Sequence, residues 1–428
     1  MLLNKFKIIG DISLSGDKSI AHRALLLSSI IKGKHIIENF PNNQDLASTL
    51  FILNQYGLKY KLNDDFLEVD SNNMNFKELT INCNESGTTA RLMCGYLSSL
   101  NINCIIKGSN SLSKRPMSRI VEPLKSFGVD IKSTNGKLPI KINKTKNNRL
   151  AFIYNLKIPS AQVKSALIFY ALSLNGVSSI KGEIRTRDHL ELLLSYLKYP
   201  IKVNSNKKIT IKGNHQLLDN FHIKLPGDIS SASFLIAAAL LLDKSKLIIR
   251  NIGVNPYRMG FINKLIDMGA KIKLINKRRK YGELIADIKV DYSDELQGTV
   301  INSNEVPSMI DEIPIFCVVA AFAKGNTKIK GINELKYKES NRIKAIVENF
   351  TAMNGDIEYN KNYLLIKPKN KMYNTSIKSF NDHRIFMSFY IANLVLDRFY
   401  SDSLSNKCYN KSFSNFIDLM KEIVHEKI

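Results

Sequence analysis

A chain of 428 residues, 44% hydrophobic and 23% charged, is globular and too long for one ordinary core; two domains are the default, and disordered or collagen-like chains are excluded. The net charge of +24 admits three sources: a composition rich in Lys, Asn and Ile, nucleic-acid binding, or small polyanionic substrates. No nucleic-acid recognition motif accompanies the charge, which argues against the second.

In chain order, Met1 to Ile12 reads as a strand, with Phe6, Ile8 and Ile9 ahead of a turn at Gly10-Asp11. It has no long apolar leader with a small-residue cleavage site, so a cytoplasmic protein is expected. A pattern then recurs: an apolar helix, a small or polar break, and an isoleucine-rich strand. The copies are Ala24 to Ile31 before His35-Ile36-Ile37, Arg91 to Leu100 before Cys104-Ile105-Ile106, and Ser165 to Leu174 before Ser179-Ile180. Ser233 to Leu242 before Leu247-Ile248-Ile249 and Ile315 to Ala323 before Lys328-Ile329 follow, with a weaker sixth helix from His383 to Leu396. The breaks at 33, 101, 176, 244 and 325 are spaced by 68, 75, 68 and 81 residues, which suits a compact α/β unit used six times. The longest apolar run, Phe234 to Leu242, is about half of the ~20 residues that a membrane span needs. The densest basic run, Lys277-Arg278-Arg279-Lys280, stands beside Tyr281-Gly282 at an expected hairpin turn. A longer echo relates Leu14-Ser15-Gly16-Asp17-Lys18-Ser19 to Leu225-Pro226-Gly227-Asp228-Ile229-Ser230, 211 residues on. The expected domains are therefore 17–226, and 1–16 with 227–428, three units each.

Cys83, Cys94, Cys104, Cys317 and Cys408 form no Cys-x-x-Cys pair and no cluster with histidines. Free, mostly buried thiols in a reducing cytosol and no metal site are expected.

Several helix starts carry cations. Ser15 to Arg23 places Lys18, Ser19 and Arg23 at a helix N-terminus, where free N–H groups attract anions. By physics alone it reads equally as a capped helix with surface charge, and His22 as a structural histidine. Glu85-Ser86-Gly87-Thr88-Thr89-Ala90-Arg91 combines small residues, which let a ligand approach the backbone, with an arginine. Lys114-Arg115-Pro116-Met117 has Pro116 placed for a first helical turn. Ser160-Ala161-Gln162-Val163-Lys164 offers an N-cap and polar reach, and Arg185 to Glu191 completes the series. Each alone reads equally as a cap and a solvated charge; together they suit a small substrate with several anionic groups. The second half supplies acids at Asp311-Glu312, Lys338-Glu339-Ser340-Asn341-Arg342 and Asn381-Asp382-His383-Arg384, with Lys411-Ser412-Phe413 near the end. A carboxylate among cations can transfer protons or can simply cap a helix.

These motifs, in this order from about Leu14 to Phe416, resemble the 5-enolpyruvylshikimate-3-phosphate synthases. The matching segments are Gly16-Asp17-Lys18-Ser19 with Arg23, Ser86-Gly87-Thr88-Thr89 with Arg91, Arg115-Pro116-Met117, and Ser160 to Lys164. Arg187 to Glu191, Lys338-Glu339-Ser340 with Arg342, Asp382-His383-Arg384 and Lys411-Ser412-Phe413 complete the set. The resemblance implies an α/β (α+β) fold of two domains, each of three βαβαββ units, with helix N-termini facing an interdomain cleft. It implies transfer of the enolpyruvyl group of phosphoenolpyruvate to the 5-hydroxyl of shikimate 3-phosphate, without metal or organic cofactor. A monomer acting on small molecules, with neither nucleic acid nor membrane as partner, is expected. Carried over by position, Lys18, Ser19, Arg23, Ser160, Ala161, Gln162, Arg187, Asp311 and Lys338 hold shikimate 3-phosphate. Lys18, Gly87, Arg91, Arg115, Gln162, Arg342, Arg384 and Lys411 surround phosphoenolpyruvate. Asp311 is the base on the 5-hydroxyl, and Glu339 the proton shuttle at the methylene carbon, assisted by Lys18.

The chain departs from the family at Glu85 for a usual Asn, Asn341 for Asp and Ser414 for Pro; Tyr257 stands where one subfamily has Thr. Gly-Asp-Lys and Ser-Ala-Gln-Val-Lys resemble the subfamily tolerant of the herbicide glyphosate, whereas Gly87 is the residue of sensitive enzymes. The sister family, the UDP-N-acetylglucosamine enolpyruvyl transferases, normally has Lys-Asn at Lys18-Ser19 and lacks the Lys-Glu-Ser and Asp-His-Arg runs. A basic scaffold for nucleic acid would have no use for acids at 311 and 339.

Overall fold

The computed structural model describes residues 5–63, 66–146, 149–204, 208–216, 220–369, 371–399 and 407–427. Met1 to Asn4, the start of the first expected strand, lie outside them. The chain divides into two compact units: Gly16–Leu225 with Lys280–Glu283, and Met1–Ser15 with Pro226–Arg279 and Leu284–Ile428.

The unit of Gly16–Leu225 holds helices α1 (Lys18–Ile30), α2 (Gln44–Gln55), α3 (Gly87–Leu100), α4 (Asn110–Ser113), α5 (Ser118–Ser126), α6 (Ala161–Ala171) and α7 (His189–Tyr196). Its three four-stranded sheets share one topology. An opening strand lies parallel to a second, which is antiparallel to the fourth, which is antiparallel to the third. Leu79–Asn82, Cys104–Lys107, Lys137–Asn143 and Asp130–Thr134 form one such sheet. Ile153–Leu156, Val177–Gly182, Lys208–Lys212 and Ile201–Asn204 form another. The remaining sheet joins Lys34–Glu38, Phe66–Asp70 and Lys59–Leu62 to an opening strand, His222–Lys224, from the far end of the unit's sequence. Each copy thus reads strand–helix–strand–helix–strand–strand. Strands alternate as a half-buried sheet demands: in Lys137–Asn143, Leu138, Ile140 and Ile142 face the core. The central helices α3 and α6 approach so closely that a Cβ at Gly95 would lie 1.9 Å from the Ala166 carbonyl oxygen.

The other unit holds α8 (Ile229–Leu241), α9 (Gly260–Asp267), α10 (Ile313–Ala321), α11 (Arg342–Ala352), α12 (His383–Val395) and α13 (Phe416–Ile423). Every residue of α8, α10 and α12 is buried. Helices that are apolar or small on all sides must lie inside a core, and these three pack on one another. One sheet orders Phe6–Ser13, Lys246–Gly253, Glu283–Asp291 and Ile272–Lys280 as above, and Val424–Glu426 adds a fifth strand beside Phe6–Ser13. The second orders Val300–Ile301, Thr327–Lys330, Tyr363–Lys367 and Asp356–Tyr359. Five of the six expected copies therefore carry sheets. The sixth has its helix, α12, without a sheet of its own among the described strands, and α13 follows it.

The 211-residue echo is structural. Gly16 N–H donates to Asn39 O (3.0 Å) and Gly227 N–H to Asn251 O (2.9 Å), and both asparagines are left-handed, with φ of 54° and 55°. Asp17 and Asp228 then cap α1 and α8. At Gly16 a Cβ would lie 2.2 Å from that Asn39 oxygen, so the turn requires glycine. The run Lys277 to Lys280 ends a strand, with the turn itself at Tyr281-Gly282. No described helix is long and apolar enough to cross a membrane.

Candidate active site

In the unit of Gly16–Leu225, three capped helix starts are tied together by side chains. Asp17 Oδ1 accepts from Ser19 N and Ile20 N, which opens α1 with Lys18 and Ser19 in its first turn. Lys18 Nζ lies 2.7 Å from Asp45 Oδ2 of α2. Arg23, buried, donates through Nε to Ser165 Oγ (3.0 Å), through NH1 to Ser19 O (2.6 Å) and through NH2 to Ala161 O (3.4 Å). It therefore links α1 to the first turn of α6. Ser160 caps α6 by accepting from Val163 N, and Ala161 and Gln162 follow. Arg187 NH1 donates to Ser19 Oγ (3.3 Å).

Ser86 caps α3, with Gly87 as its first residue. A Cβ at Gly87 would meet Arg115 NH1 at 3.0 Å and Arg91 NH1 at 3.1 Å, so both guanidinium groups lie over that backbone. Arg91 NH1 donates to Gln162 Oε1 (2.8 Å), and Gln162 Nε2 donates to Thr88 Oγ1 (3.0 Å). Glu85, half-buried, immediately precedes the cap. Pro116 departs from expectation: α5 begins at Ser118, after Met117. The Met117 N–H is engaged by Gly136 O (2.7 Å), so the helix starts on the Met117 carbonyl, which accepts from Ile120 N and Val121 N.

In the other unit, the expected residues meet around Arg342, which is 1% exposed. Its Nε donates to Asp382 Oδ2 (2.8 Å), NH2 to Glu339 Oε2 (2.5 Å) and NH1 to Asp311 Oδ1 (3.4 Å). Burial alone would favour the neutral guanidine; the charges of Asp382, Glu339 and Asp311 outweigh it and hold Arg342 above its ordinary pKa. Lys338 Nζ donates to the same Asp311 oxygen (3.1 Å). Arg384 NH1 donates to the Asp311 carbonyl (3.0 Å) and approaches Glu312 Oε1 (3.5 Å). Lys411 Nζ donates to Asn381 O (2.7 Å). Asn341, in place of Asp, still caps α11 by accepting from Lys344 N (3.2 Å). Tyr257 lies in the 3-10 turn Pro256–Arg258, whose Arg258 reaches Asp228 and Ser230.

Sequence reasoning missed the partners of these groups. Asp45 had no motif around it. Asp382, read as part of a helix start, is also the principal counter-charge of Arg342. Lys164 carries no expected role, yet it is wholly buried. The one signal for it was a lysine on the same face as the Ser160 cap, four residues on. All five cysteines are buried and none is in a disulfide, and among the described residues no group of three or more His, Cys, Asp or Glu could hold a metal ion.

Residues 4–420 match the family model described as EPSP synthase (3-phosphoshikimate 1-carboxyvinyltransferase). The 3-phosphoshikimate 1-carboxyvinyltransferase of Petrotoga mobilis is 39% identical over 97% of each chain, and that of Endomicrobium trichonymphae 38% over 97% of each. The solved EPSP synthase of Acinetobacter baumannii superposes with a TM-score of 0.84 at 30% identity, covering 100% of this chain and 99% of that one. With the repeated strand–helix architecture and the family's motifs in place along the whole chain, this protein belongs to the EPSP synthase (3-phosphoshikimate 1-carboxyvinyltransferase) family.

Proposed function

We propose that Asp311, Glu339 and Lys18 carry the chemistry by which this transferase of the shikimate pathway moves the enolpyruvyl group of phosphoenolpyruvate to the 5-hydroxyl of shikimate 3-phosphate. The observation that supports the assignment best is that Asp311 and Glu339 share one buried guanidinium, Arg342. Two carboxylates held by one group have a fixed separation, which a proton-in, proton-out reaction needs.

The steps follow from the substrates. In its protonated form, Glu339 gives a proton to the methylene carbon of phosphoenolpyruvate, which makes C2 electrophilic. Asp311 takes the proton of the 5-hydroxyl as its oxygen adds to C2. The tetrahedral intermediate carries a phosphate and a carboxylate, whose charge Lys18, Arg91, Arg115, Arg342, Arg384 and Lys411 stabilise, with Gly87 leaving room at the helix start. The departing phosphate carries off the proton that Asp311 took, and return of a methyl proton to Glu339 restores the enol ether. Ser19, Arg23, Ser160, Ala161, Gln162, Arg187 and Lys338 hold the shikimate 3-phosphate, Gln162 also bordering phosphoenolpyruvate. Most of these cations are already held by acids or carbonyls of the protein, so their positions are set in advance. The reading brings with it a cytoplasmic monomer that uses no cofactor and has only small molecules as partners.

The test is phosphate release from phosphoenolpyruvate with shikimate 3-phosphate as acceptor, run beside UDP-N-acetylglucosamine. Release with the first acceptor alone is expected. Release driven by the UDP-sugar, or by neither, would overturn the reading.

A further inference from the structure

Lys164 of α6 is 1% exposed, and a lysine is almost never so buried unless paired. Its ammonium meets three oxygens: it donates to Thr186 O (2.9 Å) and Ile184 O (3.2 Å), and it is ion-paired with Glu191 Oε1 at 2.7 Å. Two of the three are backbone carbonyls of the connection between Val177–Gly182 and α7. That connection leaves the strand with Glu183 N–H on Leu156 O (2.8 Å) and then makes two tight turns, Ile184 N to Gly182 O and Thr186 N to Ile184 O. Arg187 is the next residue along, and its guanidinium reaches Ser19 Oγ. The residue after Lys164 is Ser165, which receives Arg23 Nε. Two consecutive residues of one helix therefore engage the two arginines' surroundings: Ser165 by direct contact with Arg23, Lys164 through the backbone that carries Arg187. The same helix begins with Ser160, Ala161 and Gln162.

A buried ion pair is often no more stabilising than well-packed apolar side chains of similar volume, so stability is a weak reason for Lys164. An apolar replacement could fill the space, but it could not donate to the two carbonyls. We infer that Lys164 is a positioning residue: it fixes the backbone at Ile184 and Thr186 and thereby aims Arg187 at shikimate 3-phosphate. The inference rests on the role proposed above for Arg187.

Lys164→Met alone leaves Glu191 charged, buried and unpaired, and is expected to destabilise the protein. The test therefore uses Lys164→Met with Glu191→Leu, which removes both charges together. Its affinity for shikimate 3-phosphate should fall roughly tenfold, about the effect of one lost charge-assisted hydrogen bond. The KM for phosphoenolpyruvate and kcat should stay near the parent values. Hydrogen exchange at the amides of 184–188 should quicken. In an Arg187→Ala background the same pair of changes should cost no further affinity, because the group they position is gone. An equal loss in both backgrounds, or unchanged affinity with unchanged exchange, would overturn the inference. If Arg187→Ala alone left the affinity intact, the role proposed for Arg187 would fall. Faster exchange at 184–188 would then still uphold Lys164 as the residue that fixes this segment.

Discussion

Arg342 touches three carboxylates, and their neighbours set them apart. Asp382 is fully buried and caps α12, accepting from Arg384 N (2.9 Å), so it serves as a fixed counter-charge. Asp311 and Glu339 are only partly buried, which leaves them able to meet a substrate. Glu339→Gln keeps the shape but removes the titrating group. It should lower kcat by ~10²–10⁴-fold, the usual size of general acid–base catalysis, with little change in shikimate 3-phosphate affinity. Arg23→Ala should do the reverse and weaken that affinity, while Asp311→Asn should lower turnover and also disturb orientation. Steady-state kinetics with direct binding separates the three; a Glu339→Gln enzyme near the parent rate would move the proton shuttle elsewhere, with Lys18 the next candidate. His22 gives a prediction of another kind. Desolvation pushes its imidazole from 6.5 down to about 3, the nearby Asp45 opposing this and Lys18 and Arg23 adding to it. Nδ1 lies 3.0 Å from Thr49 Oγ1. Below pH 6.5 the unfolded chain takes up a proton that the folded one refuses, so stability falls as pH drops from 6.5 toward 3. At pH 5 this amounts to about 2 kcal/mol. Urea unfolding of the parent and of His22→Gln at pH 7 and pH 5 should show their gap shrinking by about that amount; a constant gap would mean that His22 is not buried neutral.

At the scale of elements, the readable parts of the sequence were those where one pattern had one physical meaning. A run such as Ser233 to Leu242 is apolar or small on every side, so it had to be a buried helix, and α8 is one. The strand after each break was legible from its isoleucines. The outer strands were not: Lys59–Leu62 and Asp356–Tyr359 lie at sheet edges with mostly polar, part-exposed residues, so their pattern differs little from a loop. The helix starts were legible because caps are local, within three residues of the groups they satisfy. The partners were not, because Asp45 lies 27 residues from Lys18, and Asp382 lies 40 from Arg342. Gly95 belongs to the same class. Nothing in Met93-Cys94-Gly95-Tyr96 announces that α6 passes within contact of its backbone. Gly95→Ala should force α3 and α6 apart despite the better helix propensity of alanine, costing about 1–3 kcal/mol, as overpacking does. A lower denaturant midpoint at unchanged slope is expected, with faster hydrogen exchange in α3 and α6 and not in α8, α10 or α12. An unchanged or raised midpoint would show that the contact can relax.

At the scale of the whole molecule, the chain builds two separate apolar cores, one in each unit, and covers them with a surface rich in lysine. The charge of +24 raises the question of whether the surface as a whole binds a polyanion, since a large positive potential attracts nucleic acid and small phosphates alike. We propose that the charge serves small molecules. The cations expected in the site are buried or half-buried, and most are held by nearby acids, carbonyls or polar side chains, which suits a compact ligand of defined shape. The densest basic run ends the strand Ile272–Lys280, away in sequence from every site motif, and Arg278 there is engaged by Asn276 O and the Asn251 side chain. Elsewhere surface lysines pair with acids, as Lys271 does with Asp294 and Lys324 with Glu295, and such exposed pairs hold little energy. Diffuse charge of this kind gives weak, salt-sensitive attraction to DNA, whereas specific binding needs a groove-reading element as well. Titration of labelled duplex DNA at physiological salt should therefore show no submicromolar affinity, and any binding at low salt should vanish steeply as salt rises. Replacing Lys277, Arg278, Arg279 and Lys280 together by Ser should weaken that residual binding without changing kcat or either KM. Submicromolar affinity at physiological salt would mean that the charge has a polyanionic partner after all.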